Sequence, residues 1–199
     1  MNIEEIRKKL QNRPFGVIGD RKEFSVLIPI VELKEGPTLL YEVRGKTILQ
    51  PGDVCFPGGK MEEGEDVFET ALRETEEEIG LSREKIEVLG RFDSLLEVNR
   101  VRLHTVVGLI KEESLKDLSL NYEVSEIFLV PLKYLEENKP DYFKQEIIQD
   151  PTNFPYLEHG IDPNYKWRKA HQDMYFWHYE GHTIWGLTAS ITEWFLNRL

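Results

Sequence analysis

The stretch that most constrains this chain is "FPGGKMEEGEDVFETALRETEEEIGL", Phe56 to Leu81. Phe68, Ala71, Leu72, Thr75 and Ile79 recur at the helical period, so a helix is expected after the acids Glu65 and Asp66, with Gly80 as its stop. Its last third gathers Glu74, Glu76, Glu77 and Glu78. Like charges one turn apart cost about 0.2–0.5 kcal/mol per pair. At roughly 100° per residue, Glu74 and Glu78 are neighbours flanking a stripe centred on Phe68, with Glu77 further round and Glu76 toward the opposite flank. Acids pinned beside a core cannot swing apart, and a hard divalent cation relieves their repulsion; oxygen ligands suit Mg²⁺ or Mn²⁺. Arg73, four residues from both Glu69 and Glu77, is placed to hold a carboxylate by charge-assisted hydrogen bonds. Gly58 and Gly59 allow close backbone approach, and a carbonyl of that loop is a further candidate ligand. Taken alone, the glutamate run reads as a solvated helix face after a glycine turn; the surrounding spacing asks for more.

The rest of the chain predicts an α/β protein. Ile3, Ile6 and Leu10 mark an amphipathic helix near residues 2–12, ended by Pro14 and Gly16. "EFSVLIPIVEL" (Glu23–Leu33) and "LLYEVR" (Leu39–Arg44) read as strands around the turn "KEGPT". "KIEVLGRFDSLLEV" and "RLHTVVGLI" follow as strands, and "EIFLVPLKYLEEN" as a strand running into a short helix. Residues 140–183 look aromatic and loop-rich, with strands near "MYFWHYEG" and "HTIWG". "LTASITEWFLNRL" is a closing helix with Leu187, Ile191, Trp194 and Phe195 on its apolar side. Strands with helices at both ends give a layered α/β sandwich. The division expected is a helical extension over residues 1–20 and one domain over 21–199.

Bulk properties exclude several classes. With 199 residues, 40% of them apolar, the chain can build a core. No apolar run approaches the ~20 residues of a membrane span, and no secretory segment opens the sequence. A net charge of −11 argues against nucleic-acid binding, which needs clustered Lys and Arg. It leaves open a phosphorylated substrate carried with a divalent cation. Cys55 stands alone, which rules out an internal disulfide and fits a reducing compartment. The ending "NRL" differs from a Ser-Lys-Leu address, so a cytoplasmic location is expected. The apolar faces of the first and last helices make a homodimer possible. His104, His159, His171, His178 and His182 show no zinc spacing, and His104 reads as structural.

The glycine–glutamate pattern resembles the Nudix box: glycine, five residues, glutamate, seven residues, Arg-Glu, an aliphatic position, any residue, Glu-Glu, any residue, glycine, aliphatic. These places are Gly59, Glu65, Arg73, Glu74, Thr75, Glu76, Glu77, Glu78, Ile79, Gly80 and Leu81; Thr75 at the aliphatic position is the one departure. The resemblance implies a Nudix-type α/β/α sandwich around a mixed sheet, and hydrolysis of a nucleoside diphosphate linked to another group. It implies Glu74 and Glu78 as main metal ligands, with Glu77 as a further ligand or water partner. It also implies Arg73 as the residue that orients a glutamate, and Glu65 as a structural or outer-shell partner. The general base stays open among Glu77, Glu78 and Glu123. The metal set is completed by a loop carbonyl, assigned to Gly59.

Upstream, "LLYEVRGKTILQPGDVCFPGG" resembles the segment before the box in coenzyme A diphosphatases of this superfamily, and "HTIWGLTASI" resembles their ending. Gly45 stands where serine or alanine is usual, and the interval from Arg44 to Gly52 is about one residue short. The resemblance implies a small coenzyme A-like diphosphate as substrate, with Arg44, Gly58 and Phe56 in its binding site, Arg44 on a phosphate. Trp167, Tyr175, Trp177 and Trp185 are stacking or core residues, and Lys166 and Arg168 weaker phosphate candidates. Hydrolysis of ADP-ribose or nucleotide sugars, and a Nudix-fold binding domain without turnover, are the alternatives.

Overall fold

The computed structural model describes residues 2–11, 13, 21–96 and 101–198. Two strands set its frame. β1 (Lys22–Leu33) turns through Lys34 and Glu35 into antiparallel β2 (Gly36–Arg44), with Gly36 at φ 127° making the reversal. Both are rich in Val, Leu and Ile, and consecutive residues supply opposite faces of the sheet. Leu27 and Leu40 face one core, Ile28, Leu39 and Tyr41 the other. β7 (Val101–Lys111) runs parallel to β1 along its whole length, from Lys22 against Val101 to Glu32 against Lys111. The spine of the mixed sheet is β3 (Val54–Cys55), β2, β1, β7, β5 (Ile86–Arg91). To it β4 (Gly58–Lys60) adds on β1, β6 (Leu95–Leu96) on β7 and β8 (Val124–Pro131) on β2.

Helices cover both faces. α2 (Val67–Ile79) packs on one side with Leu27, Val31, Leu40, Val106 and Ile110. α3 (Leu132–Glu137) and α4 (Gly186–Arg198) close the other, where Ile28, Tyr41, Phe56, Ala189 and Phe195 form the second core. This is the α/β/α sandwich that the sequence predicts. A second, three-stranded antiparallel sheet runs β11 (His182–Ile184), β10 (Ala170–Tyr179), β9 (Asp141–Ile147).

One expectation holds in part and three are corrected. α1 spans Ile3–Leu10 and stops at extended Gln11; Pro14 and Gly16 lie outside the described residues. Its apolar residues stay exposed among the described residues, Ile3 at 70% and Leu10 at 60%. β9 is a strand within a segment read as loop, because "DYFKQEI" faces solvent along nearly its whole length and so lacks the alternation that marks half-buried strands. α4 turns different residues inward: Leu187 and Trp194 stay partly exposed, while Thr188, Ala189, Ser190 and Thr192 are buried with Ile191 and Phe195. Its hydroxyls are satisfied there. Thr188 donates to the Val54 carbonyl (2.9 Å), Thr192 to the Thr188 carbonyl (2.9 Å), and the Tyr41 hydroxyl reaches Thr192 (2.9 Å). Finally, the buried face of α2 comprises Thr70, Ala71, Thr75, Glu78 and Ile79, so it centres on Ala71, roughly 60° round from Phe68 at 3.6 residues per turn.

Candidate active site

That rotation of α2 is what buries an acid. The helix starts on a reciprocal cap: Asp66 accepts from the amides of Phe68 (2.8 Å) and Glu69 (2.9 Å), while the Glu69 carboxylate accepts from the Asp66 amide (2.9 Å). Glu69 is therefore engaged at the cap and does not meet Arg73. It ends at Gly80, in the left-handed region at φ 70° and packed on Ser119, where a Cβ would collide with the Ser119 backbone. Between these stops Glu78 is 6% exposed, its side chain lying over the glycine loop, and accepts from the Gly58 amide at 2.8 Å.

The glycine loop is shaped for that approach. β4 lies antiparallel to β1, Ser25 opposite Gly59 and Val26 opposite Gly58. A Cβ on Gly58 would strike the Ser25 carbonyl and Val26, and one on Gly59 would overlap the Glu74 carboxylate. Gly59 thus makes room for the Glu74 carboxylate, while Gly58 lets the loop lie close on β1 and turns its amide to Glu78.

Arg73 gathers the outer acids. Its guanidinium donates to Glu65 at 2.6 and 3.1 Å, to Glu77 at 3.3 Å and to the Lys60 carbonyl at 3.2 Å, and it lies 2.9 Å from a Glu74 oxygen. Glu65 also accepts from the Thr70 hydroxyl (2.8 Å) and the Glu62 amide (3.0 Å). These donors, Arg73 foremost, hold its carboxyl near a pKa of about 2. Glu77 is 57% exposed at the rim. Glu76 pairs instead with Arg83 (3.1 Å), away from this group.

The inner acids are held differently. Burial pushes the carboxyl of Glu78 up, and neighbouring Glu42 adds to the shift against the opposing Gly58 amide. Burial likewise raises Glu42 and Glu74, the latter in spite of Arg73. Glu42 is the residue that the sequence reading passed over. It lies in β2 two positions after Leu40, so the period-two rule places it on the α2 side of the sheet. It is 2% exposed; one oxygen accepts from the Cys55 thiol (3.2 Å), and Oε2 has no hydrogen-bond partner among the described residues. Glu123, on the loop into β8, adds its charge to Glu42, Glu74 and Glu78, and its carbonyl accepts from the Gly45 amide at 2.6 Å. Burial and the Glu42 charge push the Cys55 thiol far up, which leaves it a poor nucleophile.

Beside these acids opens a cavity of about 460 Å³, with Arg44, Cys55, Phe56 and Gly58 on one side and Gln172, Trp185 and Leu187 on the other. Arg44 donates to the Leu49 carbonyl (2.8 Å), and its own backbone is tied to Gly52 and Asp53, which closes the loop over residues 45–52. Phe56 borders the cavity but is 3% exposed, its ring stacked 4.8 Å from Tyr41. Among the four aromatics singled out in the sequence, Trp185 alone lines this cavity. Trp177 is buried and donates to the Asn138 carbonyl (2.8 Å), Trp167 donates to the Tyr156 hydroxyl (2.7 Å), and Tyr175 packs on Tyr142. Lys166 and Arg168 are exposed. His104 is structural: Arg91 donates to its Nδ1 (2.9 Å), so Nε2 carries the proton to Glu23 (2.7 Å).

Among the described residues no three His, Cys, Asp or Glu side chains already close as a metal cage. The donor set nevertheless fits a hard cation. Carboxylates from α2, β2 and the loop before β8 act on one another, and the Oε2 of Glu42 has no hydrogen-bond partner among the described residues. Glu74 and Glu78, with Glu77 and the Gly59 carbonyl at the rim, would hold such an ion.

The Nudix domain profile matches residues 22–150. Over 195 residues the chain is 31% identical to the Nudix hydrolase NudL of Photorhabdus laumondii, covering 95% of this chain and 91% of that one. It is 31% identical to the mitochondrial coenzyme A diphosphatase NUDT8 of Homo sapiens (88% of this chain, 68% of that one). It is 34% identical to the peroxisomal coenzyme A diphosphatase NUDT7 of Mus musculus (66% and 56%), so the match spans little more than half of that protein's length. With the profile over most of the chain and the glycine loop and glutamate helix placed as described, this chain belongs to the Nudix family of hydrolases.

Proposed function

We propose that the chain hydrolyses the diphosphate bond of coenzyme A or its derivatives, giving 3′,5′-ADP and 4′-phosphopantetheine, with Mg²⁺ or Mn²⁺ as cofactor. The observation that carries this is the union of the buried acids around Glu78 with the cavity that Arg44 and Trp185 border. When bound, the cation supplies positive charge to the diphosphate oxygens and to the departing phosphate. The protein's part is positioning. Arg73 fixes Glu74 through a direct contact while Glu65 fixes Arg73, and the Gly58 amide orients Glu78. A carboxylate among Glu77, Glu78 and Glu123 takes the proton of the attacking water as its oxygen bonds to phosphorus and the bridging P–O bond breaks. Arg44 binds a phosphate of the nucleotide portion, and Gly58 and Phe56 floor the site. The relatives named as coenzyme A diphosphatases support the choice of substrate.

The reading extends to a cytoplasmic enzyme without nucleic-acid or membrane partners, supported by the charge of −11; no helix among the described residues is long and apolar enough to cross a membrane. The apolar side of α1, exposed among the described residues, suits a second copy of the chain, which sedimentation would detect. The substrate is tested by mass spectrometry of products from coenzyme A, ADP-ribose and nucleotide sugars with Mg²⁺ or Mn²⁺ in ¹⁸O water. Cleavage of coenzyme A to the two products above is expected. Intact coenzyme A beside cleaved ADP-ribose would move the assignment to another diphosphate, and no turnover of any would leave a binding domain.

A further inference from the structure

We propose that Glu42 is an additional acid of the cation site, offering its Oε2 from the sheet side to the ion that α2 holds from above; this rests on the metal-dependent reading just given. Glu42 lies outside the glycine–glutamate motif and reaches the site through the pleat of β2. Three observations assign it. The residue is 2% exposed, so water does not compensate its charge. Its Oε1 is occupied by the Cys55 thiol, a weak donor, while Oε2 has no hydrogen-bond partner among the described residues. The charges acting on it include those of Glu74 and Glu123, opposed by Arg44, and its own charge acts on Glu78. A carboxylate oxygen kept dry, without a donor and among other acids is a group awaiting a cation.

A structural alternative accounts for less. A buried acid that only braced β3 through Cys55 would need one oxygen; an amide or hydroxyl would serve as well with less repulsion from Glu78. The cross-strand pairing of Glu42 with Cys55 explains why its side chain is fixed, and leaves the second oxygen unexplained.

The test is Mn²⁺ binding by calorimetry, with thermal unfolding in the presence and absence of Mn²⁺, on the full chain and without substrate. Glu42→Gln keeps the shape and the oxygen facing Cys55. It is expected to weaken Mn²⁺ binding roughly 10- to 100-fold, the usual effect of losing a group that supports a metal. It should also reduce the rise in melting temperature that Mn²⁺ gives the unaltered chain, while leaving the metal-free melting temperature no lower. Glu42→Asp, which keeps the charge at shorter reach, should bind with intermediate affinity. Glu126→Gln, an exposed acid of β8 paired with His182, should bind as the unaltered chain does. Unchanged Mn²⁺ affinity in both Glu42 variants overturns the proposal while the metal site stands. An unaltered chain that binds no Mn²⁺ overturns the metal reading and this one with it.

Discussion

Two groups of glutamates sit within one helix-length of each other and live in opposite environments. Around Arg73, Glu65 has a guanidinium, a hydroxyl and an amide as donors, and its carboxyl is driven down to about 2. Below, Glu78 has one amide and Glu42 one thiol, and burial drives both up. The Glu65–Arg73 pair is a finished structure, complete with the protein's own charges. The second group is charge-deficient, and only something from outside completes it. Stability and chemistry are thus divided between two faces of α2, a turn or two apart.

The division can be broken at the inner group first. Glu78→Gln should cut the turnover rate by about 10³-fold, the loss of several kcal/mol of charge stabilisation in the transition state, with the fold intact by circular dichroism; near-normal turnover would mean that Glu78 holds nothing. At the outer group, Arg73→Ala leaves Glu65 without its main partner while Glu74 and Glu77 lose theirs. Removing one side of such a network should cost about 2–3 kcal/mol in urea unfolding, somewhat below a fully buried case because Arg73 is 19% exposed. If stability were untouched, the outer group would not be the structural one. Gly59→Ala sets a methyl against the Glu74 carboxylate. It should lower turnover by roughly 10- to 100-fold through displacement of that acid, with a smaller effect on stability than Arg73→Ala.

The dependence on pH has opposite signs in the two groups. Glu42 and Glu78 have folded-state values above the ordinary 4.5, so the unfolded chain releases those protons first. Metal-free stability should therefore fall as pH rises above 4.5, until the folded groups have ionised. Glu65 lies near 2, so its contribution is full above 4.5 and is lost as pH falls toward 2. Melting temperatures across this range, with and without Mn²⁺, check both slopes. Mn²⁺ should flatten the alkaline one, and an alkaline slope indifferent to Mn²⁺ would separate the inner acids from the metal.

Much of this was legible in the sequence because the front of the chain is locally consistent. α2 carries its cap at Asp66, its stop at Gly80 and an apolar period between them. β1, β2 and β7 are long apolar runs. The outer group was partly readable: the motif marked Arg73 as orienting a glutamate and Glu65 as a structural or outer-shell partner without joining the two, and helical spacing offered Glu77, which Arg73 does meet, and Glu69, which the cap consumes. Glu42 was not readable, since a single acid between Tyr41 and Val43 looks like a strand's solvent face until β2 is known to be covered on both sides. β9 escaped for the complementary reason: its exposed polar residues carry no burial pattern, and only pairing with β10 reveals it. α4 misled because it buries threonines, whose hydroxyls are satisfied by Val54, Tyr41 and its own backbone.

The most direct measurement is an anomalous difference map from crystals of the chain soaked in Mn²⁺. A peak is expected among the carboxylates of Glu74 and Glu78 at the Gly59 carbonyl. A peak elsewhere on the molecule, or none at a Mn²⁺ concentration that supports turnover, would contradict it.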